Sequence, residues 1–152
     1  MRGILVGVAA AAALAVAAPA ARADDASLKA AVHAEQPQFA SALIKFEKAA
    51  KHLHTVAGVN KAKIAVARVR NATQEYYNGV SHQQASTQAF ADARQHLLIG
   101  LVRYKEGLVL YRKALISLTH RHASQAKSRV KLAVRRFKAA GKQFGKAQIL
   151  VQ

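Results

Sequence analysis

The sequence predicts an all-α fold: an antiparallel up-down-up-down bundle of four helices. Three observations carry this. Apolar residues recur at alternating steps of three and four in four successive segments, and no segment shows sustained strand-like alternation. Short polar breaks separate the segments, which makes sequential helices antiparallel neighbours. Gly58 and Asn78-Gly79 stand at two of those breaks.

The chain has 152 residues, which suggests one folded domain. Residues 1–23 read as a cleavable signal peptide. Met1-Arg2 gives a positive start, Gly3 to Ala18 is an unbroken apolar run, and Ala21-Arg22-Ala23 places small residues where a signal peptidase reads. Cleavage there starts the mature chain at Asp24; a second possible cut follows Ala18-Pro19-Ala20. A membrane anchor is the weaker reading, because the run falls short of the ~20 residues a span needs. No later stretch could span a bilayer: the most apolar, Leu97 to Leu118, is broken by Arg103, Lys105, Glu106, Arg112 and Lys113. The expected location is outside the cytoplasm, in the periplasm, cell envelope or extracellular space. The alanine bias and short n-region have a bacterial look.

The first mature helix is expected over about 26–57, on Phe39, Leu43, Phe46, Ala50, Leu53 and Ala57, with Leu28 and Val32 upstream. Pro37 either starts a new helix after a short fifth piece or kinks one long helix. Gly58 is the expected stop and Asn60 the next cap. The second helix, about 61–77, carries Ala62, Val66, Val69, Thr73 and Tyr76 on one face and should end at Asn78-Gly79. Ser81 and Gln84 read as a capping box for a third helix over 82–118. Its stripe is Phe90, Ala93, Leu97, Leu101, Tyr104, Leu108, Tyr111, Leu115 and Leu118. Gly100 and Gly107 flank it, either admitting a close neighbour or costing ~1 kcal/mol each as surface residues. The fourth helix, about 122–150 with Ser124 as a cap, carries Ala123, Ala126, Val130, Ala133, Phe137, Ala140, Phe144, Ala147 and Val151.

Chemistry-bearing motifs are sparse. Cysteine is absent, which removes thiol nucleophiles, disulfides and Cys-linked heme. No inward Glu-x-x-His pair suits a carboxylate-bridged metal bundle. Ser124-Gln-Ala-Lys127 and Ser128-Arg-Val-Lys131 match Ser-x-x-Lys, but the companion elements of serine acyl-enzymes are missing. No glycine-rich phosphate loop exists. The expectation is a non-enzymatic protein without a cofactor. Glu47, Glu75, Asp92 and Glu106 are expected as surface partners of nearby Lys or Arg. Tyr76, Tyr104 and Tyr111 lie on apolar stripes and are expected in or beside the core.

Two constellations remain. His52 and His54 lie near the end of the first helix and His120 and His122 at the turn after the third, on the same side of an up-down-up-down bundle. Imidazole suits Zn, Cu or Ni, so a metal or small-ligand carrier is one alternative. Against it, residues two apart do not share a helix face, and Lys51 and Arg121 repel a cation. Histidines near helix C-termini also serve the helix dipole.

The second constellation is charge. The chain carries 24 Lys plus Arg against 7 Asp plus Glu. Signal cleavage removes Arg2 and Arg22, leaving a net of +15. All 7 acids precede Gly107, and 11 Lys or Arg follow it. Lys127, Lys131, Arg135, Lys138, Lys142 and Lys146 recur at threes and fours and form a ridge on the last helix. This points to a partner that is an anionic polymer or surface: an envelope polymer, acidic lipid headgroups, nucleic acid or an acidic protein. The competing reading is a structural or chaperone-like envelope protein whose charge keeps it soluble.

Overall fold

A computed structural model describes the backbone from Ile4 and the side chains from Asp24. The proposed signal peptide, residues 1–23, therefore lies outside the residues whose side chains are described. Four helices follow in order: α1 (Ile4–Ala50), α2 (Val56–Ser81), α3 (Gln88–Thr119) and α4 (Ala123–Lys146). A single 3-10 turn, Gln148–Leu150, closes the chain. Among the described residues there is no strand, and the packing is that of a four-helix bundle.

The closest pairing is α3 with α4; α1 packs on α2, and α2 on α3. Sequence explains the intimacy of the α3–α4 seam. Ala93, Gly100, Gly107 and Ala114 recur at heptad spacing on α3 and are buried. Ala126, Ala133 and Ala140 do the same on α4, and Ala147 continues the series beyond its end. Two stripes of small residues let the backbones come close, and the larger knobs of α4 then drop onto α3. A Cβ at Gly107 would stand 2.5 Å from the Phe137 ring, and one at Gly100 would stand 2.5 Å from the Phe144 ring. The heptad glycines are therefore sockets in the core, not surface residues.

Tyr104 lies between the two halves of the bundle. Phe39 of α1 meets it edge-on at 5.5 Å between ring centroids, and Phe137 of α4 lies tilted against it by 38° at 4.9 Å. Phe46 meets Tyr111 in the same edge-on manner one layer along, at 5.2 Å. Such pairs contribute ~0.5–1.5 kcal/mol beyond area burial. Leu150 of the terminal turn is fully buried and plugs the gap where the turn touches α1, α3 and α4.

Several helix boundaries differ from expectation. Helix α1 runs through Pro37 as one helix, and there is no separate fifth piece. Pro37 and His33 are both exposed, so the carbonyl that Pro37 leaves without an N–H donor faces water. Helix α1 stops at Ala50, seven residues early, and α2 starts at Val56 instead of after Asn60. Thr55 is the reason: it sits in an extended conformation and accepts a 3.0 Å bond from the Gly58 amide. Gly58 serves the start of α2, not the end of α1. A Cβ there would lie 1.6 Å from the His52 carbonyl oxygen.

Asn78-Gly79 does not end α2. Val80, one residue on, is fully buried and holds another turn. Ser81 caps nothing at α3; it is the last residue of α2, and its hydroxyl donates to the Asn78 carbonyl. Helix α3 begins at Gln88 after Thr87, whose hydroxyl donates to Asp25 of α1. Asp25 also accepts from the Ser86 amide, and Asp24 from the Ser86 hydroxyl. The two aspartates thus clasp the α2–α3 loop. On the apolar stripes, Leu118 and Val151 are exposed rather than buried. Ser124 lies inside the first turn of α4, and His122 is the N-cap residue without a side-chain cap bond.

The glycine sockets generate a test. Gly107→Ala gains ~1 kcal/mol of helix propensity but forces a methyl into an aromatic ring, where overpacking costs ~1–3 kcal/mol. It should lower the melting temperature. Gly141, whose Cβ position is open, has no such conflict, and Gly141→Ala should stabilise by ~0.5–1 kcal/mol. Equal effects of the two substitutions in thermal melts would show that the glycines are not sockets.

Candidate functional site: a basic ridge and a histidine-rich end

Helix α4 turns its buried stripe, Ala126, Ala133 and Ala140, toward α3. At 3.6 residues per turn the six ridge residues point the opposite way. Lys127, Lys131, Arg135, Lys138, Lys142 and Lys146 are all exposed. The row spans roughly 28 Å along the helix. Among the described residues the one ion pair is Arg136 with Glu106, at 3.4 Å and largely solvated. Arg136 lies off the ridge, so none of the six ridge cations has an acidic partner within reach. Exposed Leu132 and Val134 lie on either side of the row.

The other basic residues of the C-terminal half have different duties. Arg129 points inward, donating to the Ser117 hydroxyl and, at 3.1 Å, to the Lys113 carbonyl. Arg94 likewise donates to the carbonyls of Val80 and Ser81 and satisfies the end of α2. The remaining acids are engaged more by amides and hydroxyls than by cations. Glu75 accepts from Gln38 and Asp92 from Gln88.

The bundle topology places the α1–α2 loop and the α3–α4 turn at one end, where Lys63 reaches across to donate to Thr119 at 3.5 Å. All four candidate histidines are exposed there. They form two pairs, not one cluster. The rings of His52 and His54 stand 6.3 Å apart and those of His120 and His122 6.4 Å apart. Among the described residues no three His, Asp or Glu side chains gather as a metal site.

The α3–α4 turn has a feature the sequence does not announce. The amide of His122 bonds the Ser117 carbonyl and that of Arg121 bonds the Leu118 carbonyl, the paired closure of a helix through a left-handed residue. That residue is Arg121, at φ 59°, and it is the only non-glycine residue with positive φ among those described. Glycine is the usual occupant, because a Cβ is crowded there.

An open apolar cleft of about 220 Å³ borders the core, lined chiefly by Phe39, Tyr76, Leu97, Phe144 and Leu150. Burial pushes the Tyr76 hydroxyl up to about 12, with Glu35 adding to the effect. Burial, with a smaller contribution from Glu47, does the same for Tyr104. Both rings pack as core residues, as their stripe positions imply. No helix among the described residues is long and apolar enough to cross a membrane.

No family model matches the chain, and neither a curated protein nor a solved structure is significantly similar to it.

The tyrosines set a pH limit. Their folded-state values are raised above the unfolded 10, so their contribution is fully present below pH 10 and is lost as pH rises through about 12. The melting temperature should fall across that window. The double substitution Tyr76→Phe and Tyr104→Phe should flatten the fall, and an identical alkaline profile in that variant would disprove it.

Proposed function

We propose that the chain is exported, is cut after Ala23, and works in the bacterial envelope or beyond it as a non-enzymatic helical bundle. Its task is to associate with an anionic polymer or surface through α4. The observation that carries this reading is the unpaired ridge. Six cations stand in a line on the outward face of one helix, with no acid opposite any of them. Like charges three and four apart mildly destabilise a helix. An external row of anions relieves that repulsion and gains the entropy of released counterions. Acids on the first three helices do not take that role, since the one pair they make is with Arg136, away from the ridge.

Export rests on the tripartite N-terminus. A chain beginning at Asp24 keeps the Asp24 and Asp25 clasp on the α2–α3 loop, so cleavage there is compatible with the packed bundle. The intact mass of protein recovered outside the cytoplasm should start at Asp24; a species retaining Met1 would refute cleavage.

Binding should be strongly salt-dependent and indifferent to polymer sequence. Each neutralised anionic group contributes a slope of roughly 0.7–0.9 in log affinity against log salt. Lys131→Gln, Lys138→Gln and Lys142→Gln together should flatten that slope by about 2 to 3 and leave the circular dichroism unchanged. A protein that ignores heparin, polyphosphate and acidic vesicles at low ionic strength would leave the ridge a solvated face and favour the structural role.

A further inference from the structure

The ridge does not stop at the side of the molecule. Lys127 and Lys131 stand where α4 enters the bundle end that also carries both histidine pairs. Every element reaching that end is basic there. Helix α1 brings Lys45, Lys48 and Lys51, α2 brings Lys61 and Lys63, and α3 brings Arg112 and Lys113. Helix α4 adds the first two ridge lysines, and Arg121 sits in the turn. Glu47 is the one carboxylate in these segments. Five of the seven acids, Asp24, Asp25, Glu35, Glu75 and Asp92, lie toward the opposite end, where they stand among Lys29, Arg94, Lys142 and Lys146.

We propose that this end is a second anion-binding surface, continuous with the α4 ridge, and that together they hold a flexible linear phosphate polymer that binds more tightly as pH falls. The proposal rests on the ridge reading above and adds the occupant and its regulation. Three observations support it.

The first is shape. The ridge runs along the side of the bundle, parallel to the helices, whereas the second surface lies across their ends. A flat bilayer can press on one of these at a time. A flexible chain can turn the corner at Lys127 and Lys131 and occupy both.

The second is the histidines. All four are exposed among fixed cations. His52 and His54 line an open groove of about 330 Å³ at the α1–α2 loop, shared with Thr55 and Lys61, and room there suits a phosphate group. Imidazole gains its charge between pH 8 and pH 5. Protonation therefore adds as many as four cations to a surface already rich in them. A bound polyanion favours the charged imidazole, so binding and proton uptake reinforce each other.

The third is Arg121. Glycine would close α3 without steric cost, yet an exposed arginine occupies the left-handed position at the tip of this surface. An outlier of this kind on a surface is a pointer to function. Its guanidinium is well suited to phosphate oxygens.

The test uses purified protein and long-chain inorganic polyphosphate, titrated over a range of salt at about pH 8 and about pH 5.5. The salt slope should steepen by about 3 to 3.5 at the lower pH, as up to four more charges are neutralised. A variant with His52→Gln, His54→Gln, His120→Gln and His122→Gln should bind like the parent at the higher pH and lose the increment. Arg121→Gly should melt at a higher temperature yet bind polyphosphate more weakly, a combination that a purely structural arginine would not give. Ridge-dependent binding with the same slope at both pH values would overturn this proposal and leave the ridge reading intact. Absence of binding at low salt at either pH would overturn both. Acidic-lipid vesicles that show the same pH increment and compete with polyphosphate on equal terms would replace the polymer with a membrane surface.

Discussion

The structure depends on the close approach of α3 and α4. Phe137 and Phe144 of α4 rest on the backbone of α3 where Gly107 and Gly100 offer no side chain. Each glycine weakens its own helix by ~1 kcal/mol relative to alanine. Full burial of a phenylalanine contributes ~1.5–3 kcal/mol; Phe137 and Phe144 are half-buried, so the contact roughly offsets the weakened helix. The rest of the bundle is built outward from this hairpin. Tyr104, next to the sockets, presents its ring to both Phe137 and Phe39, and through Phe39 the α1–α2 hairpin is joined to the seam.

That seam also determines what the surface can do. Because α4 buries three alanines and half-buries two aromatic knobs, most of the remainder of its circumference is free. The sequence fills it with lysine and arginine and places its acids elsewhere. A helix with so little acidic relief on its own surface needs tertiary packing to hold it. The interlocked seam supplies that packing, which makes a row of mutually repelling cations tolerable. Fold and charge are linked in this sense: the most extensive helix pairing among the described residues carries the most repulsive face.

The sequence made the stripes and the ridge legible because both depend on spacing alone. Val66, Val69, Leu101, Leu108 and Leu115 are buried as their periodicity requires, and the six ridge residues are exposed as theirs requires. Helix ends were less legible, because they are decided by individual atoms. Gly58 looks like a stop until Thr55 is seen to cap the helix that contains it. Ser81 looks like a cap until Val80 is seen to hold α2 for another turn. Pro37 is tolerated on the exposed side of α1, where both it and His33 face solvent. The histidine end was half legible. Topology brought both pairs to one end, but their separation into two pairs depends on loop geometry, and nothing local distinguishes Arg121 as a left-handed residue.

Native-state amide hydrogen exchange tests the central claim most directly, because it ranks the helices by the free energy needed to open them. If the α3–α4 seam is the foundation, amides of α3 near Gly100 to Leu108 and of α4 near Ala133 to Ala140 should exchange last, at rates set by global unfolding. Those of α1 should exchange earlier, through partial opening of the α1–α2 hairpin. Strongest protection in α1 and α2, with α4 exchanging early, would contradict the account and move the foundation to the N-terminal hairpin.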